Sequence, residues 1–138
     1  MSLVLVRLVL DFGLLVLIWM TQLVVYPGFK FYSREGLLEW HKKYTSQITY
    51  IVLPLMLGQL VISGIQLWNV QSLYTLGSFL IIVLLWASTF LQFIPLHNKI
   101  AAGNFNTETG MQLVKKNWLR TVLWTALFGM SLVVITFH

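Results

Sequence analysis

Apolar residues run almost unbroken from Leu3 to Tyr26, Gln47 to Trp68, Tyr74 to Leu96 and Trp118 to Phe137, with polar residues gathered between these runs. Each run has about the 20 residues that a helix rising ~1.5 Å per residue needs to cross a bilayer. The central pair is the clearest: from Tyr44 to Asn98 there is no Asp, Glu, Lys or Arg for 55 consecutive residues. Only the middle of that stretch, Trp68, Asn69, Val70, Gln71 and Ser72, reads as a turn. The pattern predicts an all-α, integral membrane four-helix bundle of up-down-up-down course, one domain spanning residues 1–138.

The connections carry their own signals. Pro27-Gly28 predicts the end of the first helix. Ser33 is a candidate N-cap with Glu35 in the first turn, and Leu37, Leu38 and Trp40 predict a short interfacial helix leading into the second span. Gly103 to Thr107 reads as a turn and cap, followed by a second short helix through Met111, Leu113 and Val114 to Lys116. Pro54 and Pro95 remove the hydrogen bonds to the carbonyls of Tyr50 and Leu91, which predicts kinks at both places.

Composition strengthens the membrane assignment. Of the 138 residues 58% are hydrophobic and 9% charged, and the mean hydropathy is +0.81, more apolar surface than a soluble domain of this size can hide. The net charge of +5 does not indicate nucleic acid, because the cations flank apolar runs rather than forming a reading surface. Lys30, Arg34, Lys42 and Lys43 lie between the first two spans, and Lys99, Lys115 and Lys116 between the last two. Arg7 alone lies on the other side. By the positive-inside rule both longer connections are expected to face the cytoplasm and both termini outward, with the chain in the cell's inner (cytoplasmic) membrane. The first span is too long for a signal-peptide core and lacks a small-residue cleavage pattern, so it is expected to be retained. With no cysteine, disulfides, thiolate metal sites and thiol nucleophiles are excluded.

Polar side chains at membrane depth are few and patterned. Arg7 and Asp11 are one turn apart on the first helix, and the sequence predicts a self-neutralised pair with Arg7 reaching toward the headgroups. Gln59, Ser63 and Gln66 form one stripe on the second helix, Ser88 and Gln92 one on the third, and Asn117, Thr121, Trp124 and Phe128 one on the fourth. The plain reading of such stripes is interhelical hydrogen bonding.

Alternating helix direction brings His41, Tyr44 and Gln47, Gln92, His97 and Asn98, Asn117 and Arg120, and Gln22 to one cytoplasmic level, beside Trp40, Trp118 and Trp124. That end of the bundle is the candidate site. Ordinary interfacial anchoring explains many of these residues equally well, but Arg120 sits inside the fourth span without a local acid and needs carbonyls, lipid phosphate or an anionic ligand. His41 and His97 admit a bis-histidine haem reading, yet no carboxylate or HxxxH-type spacing completes a metal set and no metal site is assigned. His138 is given no role.

Val25-Tyr26-Pro27-Gly28-Phe29, Trp40-His41, Pro54-Leu55-Met56, Ile94-Pro95-Leu96-His97-Asn98-Lys99-Ile100 and Asn117-Trp118-Leu119-Arg120-Thr121 together resemble an uncharacterised family of small bacterial four-helix membrane proteins. That family is loosely similar to the anthrone-oxygenase-like superfamily. Members often carry a second histidine a few residues after the position of His41 and an acid near that of Gln59, where this chain has Tyr44 and Gln59. The resemblance implies a compact bundle holding a flat, lipophilic, aromatic or quinone-like molecule.

The expectation is therefore a lipophilic ligand whose head meets His97, Asn98, Asn117 and Arg120, supported by His41, Gln22 and Gln92, with Trp118 and Trp124 against its body. In an oxygenase-like enzyme His41 or His97 is the general base and Asn117 and Arg120 stabilise the oxyanion. Membrane lipids and a second copy of the chain are the other expected partners. The alternatives are an accessory subunit of a larger membrane complex and a small transporter coupled through Asp11.

Overall fold

The computed structural model describes residues 2–137 and contains four helices long and apolar enough to cross a membrane: α1 (Leu3–Phe31), α2 (Arg34–Asn69), α3 (Leu73–Ala101) and α4 (Thr107–Phe137). His138 lies outside the described residues. The starts follow local capping chemistry. The side chains of Ser2, Ser33 and Ser72 each accept a backbone N–H from the first turn of the helix that follows, Ser72 within a capping box with Thr75, and Asn106 Oδ1 accepts from Thr109 N at 3.1 Å. Gly103 is the one described residue at positive φ, +77°, and closes α3 where a side chain is disfavoured.

Two expectations are corrected. The connecting segments before the second and fourth spans are not separate helices: α2 runs unbroken for 36 residues through Pro54, and α4 for 31. Helix α1 also does not stop at Pro27 but continues to Phe31. In α1 the reason is a device that it shares with α3. Thr21–Val25 and Thr89–Phe93 are π-helical turns, and the residue before each proline, Tyr26 or Ile94, bonds five residues back to the carbonyl of Thr21 or Thr89. The wider turn makes room for the proline ring, which clashes with a carbonyl four residues back in a regular α-helix. Each threonine hydroxyl donates in turn to a carbonyl four residues earlier, Leu17 at 2.8 Å and Leu85 at 2.9 Å.

The distribution of polarity is the reverse of a soluble protein's. Leu23, Val24, Leu84 and Leu91 are all more than half exposed, whereas Arg7, Asp11, Gln22, Gln59, Asn117, Thr121 and Ser131 are buried. A hydrocarbon surroundings makes this the stable arrangement, because polar groups find partners only inside the bundle. The start of α1 meets the ends of α2 and α4: Arg7 Nη1 donates to Gln66 Oε1 at 3.3 Å and Ser131 Oγ to Asp11 Oδ2 at 2.5 Å. The other ends converge likewise, with Gln22 of α1 bonded to Asn117 of α4 and His41 of α2 to His97 of α3.

Arg7 does not reach outward to the headgroups, as the sequence suggested. It is 0% exposed and its Nε donates to both oxygens of Asp11, at 2.8 and 3.0 Å. Asp11 also accepts from Gln59 Nε2 at 2.6 Å, so the guanidinium is drawn inward by a carboxylate that three helices share. Two apolar clusters fill the rest: one around Leu14, Met56, Ile82, Leu85, Trp124 and Leu127, the other around Tyr26, Phe29, Phe93, Leu96, Ile100 and Leu113.

Candidate functional site

The two π turns lie on either side of a cavity of about 360 Å³, lined by residues of all four helices. Its apolar wall includes Leu14, Ile18, Val52, Met56, Trp86 and Trp124, and its polar residues include Tyr26, His41, Tyr44, His97 and Arg120. Thr49 and Leu53 on α2 and Phe90 and Ile94 on α3 line it and are exposed. The cavity therefore opens sideways between α2 and α3, on the face that lipid covers.

A hydrogen-bonded chain runs along one end. The Tyr26 hydroxyl is 3.0 Å from His97 Nε2, and His97 Nδ1 is 2.8 Å from His41 Nε2, with the two imidazoles stacked at 5.1 Å between centroids. Each of these bonds needs one donor and one acceptor, so the imidazoles cannot both be protonated in this arrangement. With both neutral, the chain polarises in either direction. Tyr26 donates inward and His41 Nδ1 ends it as an N–H, or His41 donates outward and the Tyr26 O–H is released toward the cavity. His41 Nδ1 is buried with no partner in either case.

Arg120 lies beside Tyr26, with both packed on the Phe93 ring. Its guanidinium lies 4.2 Å from the Phe93 ring centroid and 5.0 Å from that of Trp124, and Nη2 donates to Thr89 Oγ1 at 3.3 Å. Its Nε has no partner, and the only ion pair among the described residues is Arg7 with Asp11. Trp86 Nε1, on the same cavity wall, is likewise buried and unpartnered. Three of the five buried side-chain atoms without partners among the described residues thus belong to residues lining one cavity, the other two being Arg7 Nη2 and Asn117 Oδ1, and each is costly to leave unpaired.

Among the residues singled out from sequence, His41, His97, Asn98, Arg120 and Trp124 line this cavity. Gln22 and Asn117 do not line it but bond to each other: Gln22 Oε1 accepts from Asn117 Nδ2 at 2.9 Å and Thr121 Oγ1 at 3.1 Å, while its Nε2 donates to the Val114 carbonyl at 3.2 Å, and Asn117 Oδ1 is left buried without a partner. Replacing Gln22 with Leu is expected to cost about 1–3 kcal/mol in detergent unfolding assays, because it strands the Asn117 amide. Gln92 pairs with Ser88 on its own helix. Trp118 is 45% exposed and edge-on to Trp19. Tyr26, Trp86, Thr89 and Phe93 were not singled out, although Thr89, Phe93 and His97 recur every four residues on one face, as do Gln22 and Tyr26.

The imidazoles bond directly to each other, and no metal with N–metal bonds of about 2 Å fits between nitrogens 2.8 Å apart. The bis-histidine haem reading is inconsistent with this pairing. No cluster of three or more His, Asp or Glu occurs among the described residues. Searches against protein-family models, curated proteins and solved structures match nothing.

Proposed function

We propose that this chain is a multi-pass inner-membrane protein of up-down-up-down course, with its longer connections cytoplasmic, and that it binds a lipophilic, aromatic or quinone-like molecule in the lateral cavity. The ligand enters from the bilayer between α2 and α3. Its body lies against Met56, Trp86 and Trp124, and its oxygen-bearing head faces Arg120, His97 and Tyr26. The observation that carries this reading is Arg120, a buried guanidinium with no carboxylate partner among the described residues, on the wall of a largely apolar cavity that it shares with His41, His97 and Tyr26. A guanidinium without a carboxylate, held on two aromatic rings, suits a carbonyl, phenolate or carboxylate oxygen. For a ligand with an acidic hydroxyl, the His97–His41 pair supplies the base and Arg120 the counter-charge, which is the oxygenase-like extension of the same reading.

The cavity contains its own reporters, since Trp86 and Trp124 line it. Titrating the purified protein with a short-chain ubiquinone analogue is expected to quench tryptophan fluorescence saturably. Arg120→Ala should weaken the apparent affinity at least about tenfold, roughly 1.4 kcal/mol, with the helical content unchanged. Equal affinity in that variant, or no saturable quenching in the parent protein, ends the proposal; stoichiometric co-purification of another membrane protein would favour the accessory-subunit reading instead.

A further inference from the structure

A second, larger concavity of about 840 Å³ lies against the other side of Tyr26, between the end of α1, the start of α2, the 102–106 connection and the first turns of α4. Its chemistry differs from that of the lateral cavity. The floor is apolar, made by Phe29, Leu37 and Ile100, all buried, while Lys30, Arg34 and Lys115 stand exposed at its rim. No Asp or Glu lines it, and none of these three cations forms an ion pair with a described residue.

We propose that this groove is a binding site for one anionic phospholipid, with the phosphate among Lys30, Arg34 and Lys115 and the glycerol and upper acyl segment over the Phe29–Ile100 floor. The site is prepared rather than merely charged. Arg34 is fixed by donating to the carbonyls of Phe105, at 3.1 Å, and Gly103, and its guanidinium stacks 4.7 Å from the Phe105 ring centroid. Two of its five N–H donors are thereby used, and the rest keep a fixed direction. The positive φ of Gly103 forms the turn that presents one of those carbonyls. Trp118 and Tyr32, both lining the groove and 45% and 46% exposed, are residue types that settle at the headgroup level. Basic pockets between helix ends at this depth take acidic lipid headgroups, and apolar floor with cationic rim matches one lipid better than a soluble anion.

Gly110 provides a test that leaves the cations in place. It lines the groove, and a Cβ added there meets nothing within 4 Å, so Gly110→Leu is expected to place its side chain in the groove. In native mass spectrometry after exchange from nanodiscs holding equal phosphatidylglycerol and phosphatidylcholine, the parent protein is expected to retain phosphatidylglycerol at least about fivefold over phosphatidylcholine. Gly110→Leu should remove most of that retention, and the Lys30→Ala/Lys115→Ala double variant should bring the two lipids level. Arg120→Ala, which alters only the lateral cavity, should leave it unchanged, so failure here is separable from failure of the quinone-type ligand. Equal retention of both lipids by the parent protein, or undiminished preference in both groove variants, overturns the assignment.

Discussion

Asp11→Ala is expected to destabilise the bundle by about 3–5 kcal/mol, the usual cost of leaving a buried charge without its partner. The carboxylate accepts from three donors, Arg7 Nε in a bond shared between both oxygens, Gln59 Nε2 and Ser131 Oγ. Arg7 and Asp11 are both 0% exposed. Removing the carboxylate therefore strands a guanidinium, an amide and a hydroxyl from three helices at once. Neutral interhelical hydrogen bonds in membranes contribute only about 0.6–2 kcal/mol each, so the charge sets the size of the effect. Removing both charges together, Arg7→Leu with Asp11→Leu, should recover most of the loss, because no unpaired ion is left. Reversible unfolding in mixed micelles measures both variants; a cost for Asp11→Ala below about 1 kcal/mol would mean that Arg7 escapes to the headgroups. The setting of Asp11 also bears on the transporter alternative. A buried carboxylate held by donors from three helices is built to hold helices together.

Trp124→Ala should cost about as much, 3–5 kcal/mol, by a different route. The indole is 2% exposed in the middle of one apolar cluster, and its Nε1 donates to Gln59 Oε1 at 3.3 Å. Truncation opens a void, unties Gln59 and removes one of the two rings beneath Arg120. Trp124→Phe separates these contributions. It keeps most of the volume and ring face but drops the N–H, so its cost should fall to about 1–2 kcal/mol, with quinone-analogue binding retained. Because Gln59 joins Trp124 to Asp11, the Trp124→Phe and Asp11→Ala effects should not add, and a double-mutant cycle with a coupling below about 0.3 kcal/mol would show the two networks to be independent. No proton relay is expected along this thread, since an indole N–H donates but has no lone pair to accept.

Much of this was legible in the chain. The four apolar runs and the serine cap at Ser33 depend on length, hydropathy and local hydrogen bonding, which a sequence states directly. The stripe of Gln59, Ser63 and Gln66 needed only helical spacing to be read as inward-facing, and all three are buried. Less visible was the threonine-to-proline spacing shared by Thr21–Pro27 and Thr89–Pro95, six residues in both, which marks the two π turns. It suggested helix ends or kinks when each proline was considered alone. Arg7 was misread because its own helix provides only one partner, Asp11, while Gln66, which turns the guanidinium inward, is 59 residues away.

The sequence alone determined that the chain forms four apolar helices, where most of them begin, and that its few polar side chains lie on defined helical faces, because these follow from spacing and transfer free energy along one segment. Only the tertiary structure decided which polar groups are satisfied and which are not. Gln22 is bonded through both of its amide atoms, whereas His41, Trp86 and Arg120, which line the lateral cavity, each keep one unpartnered buried atom, as do Asn117 and Arg7 away from it. The physical reason is that hydrogen-bond satisfaction is a property of packed neighbours from several helices, and a π turn at each of two prolines set the register that brought those neighbours together.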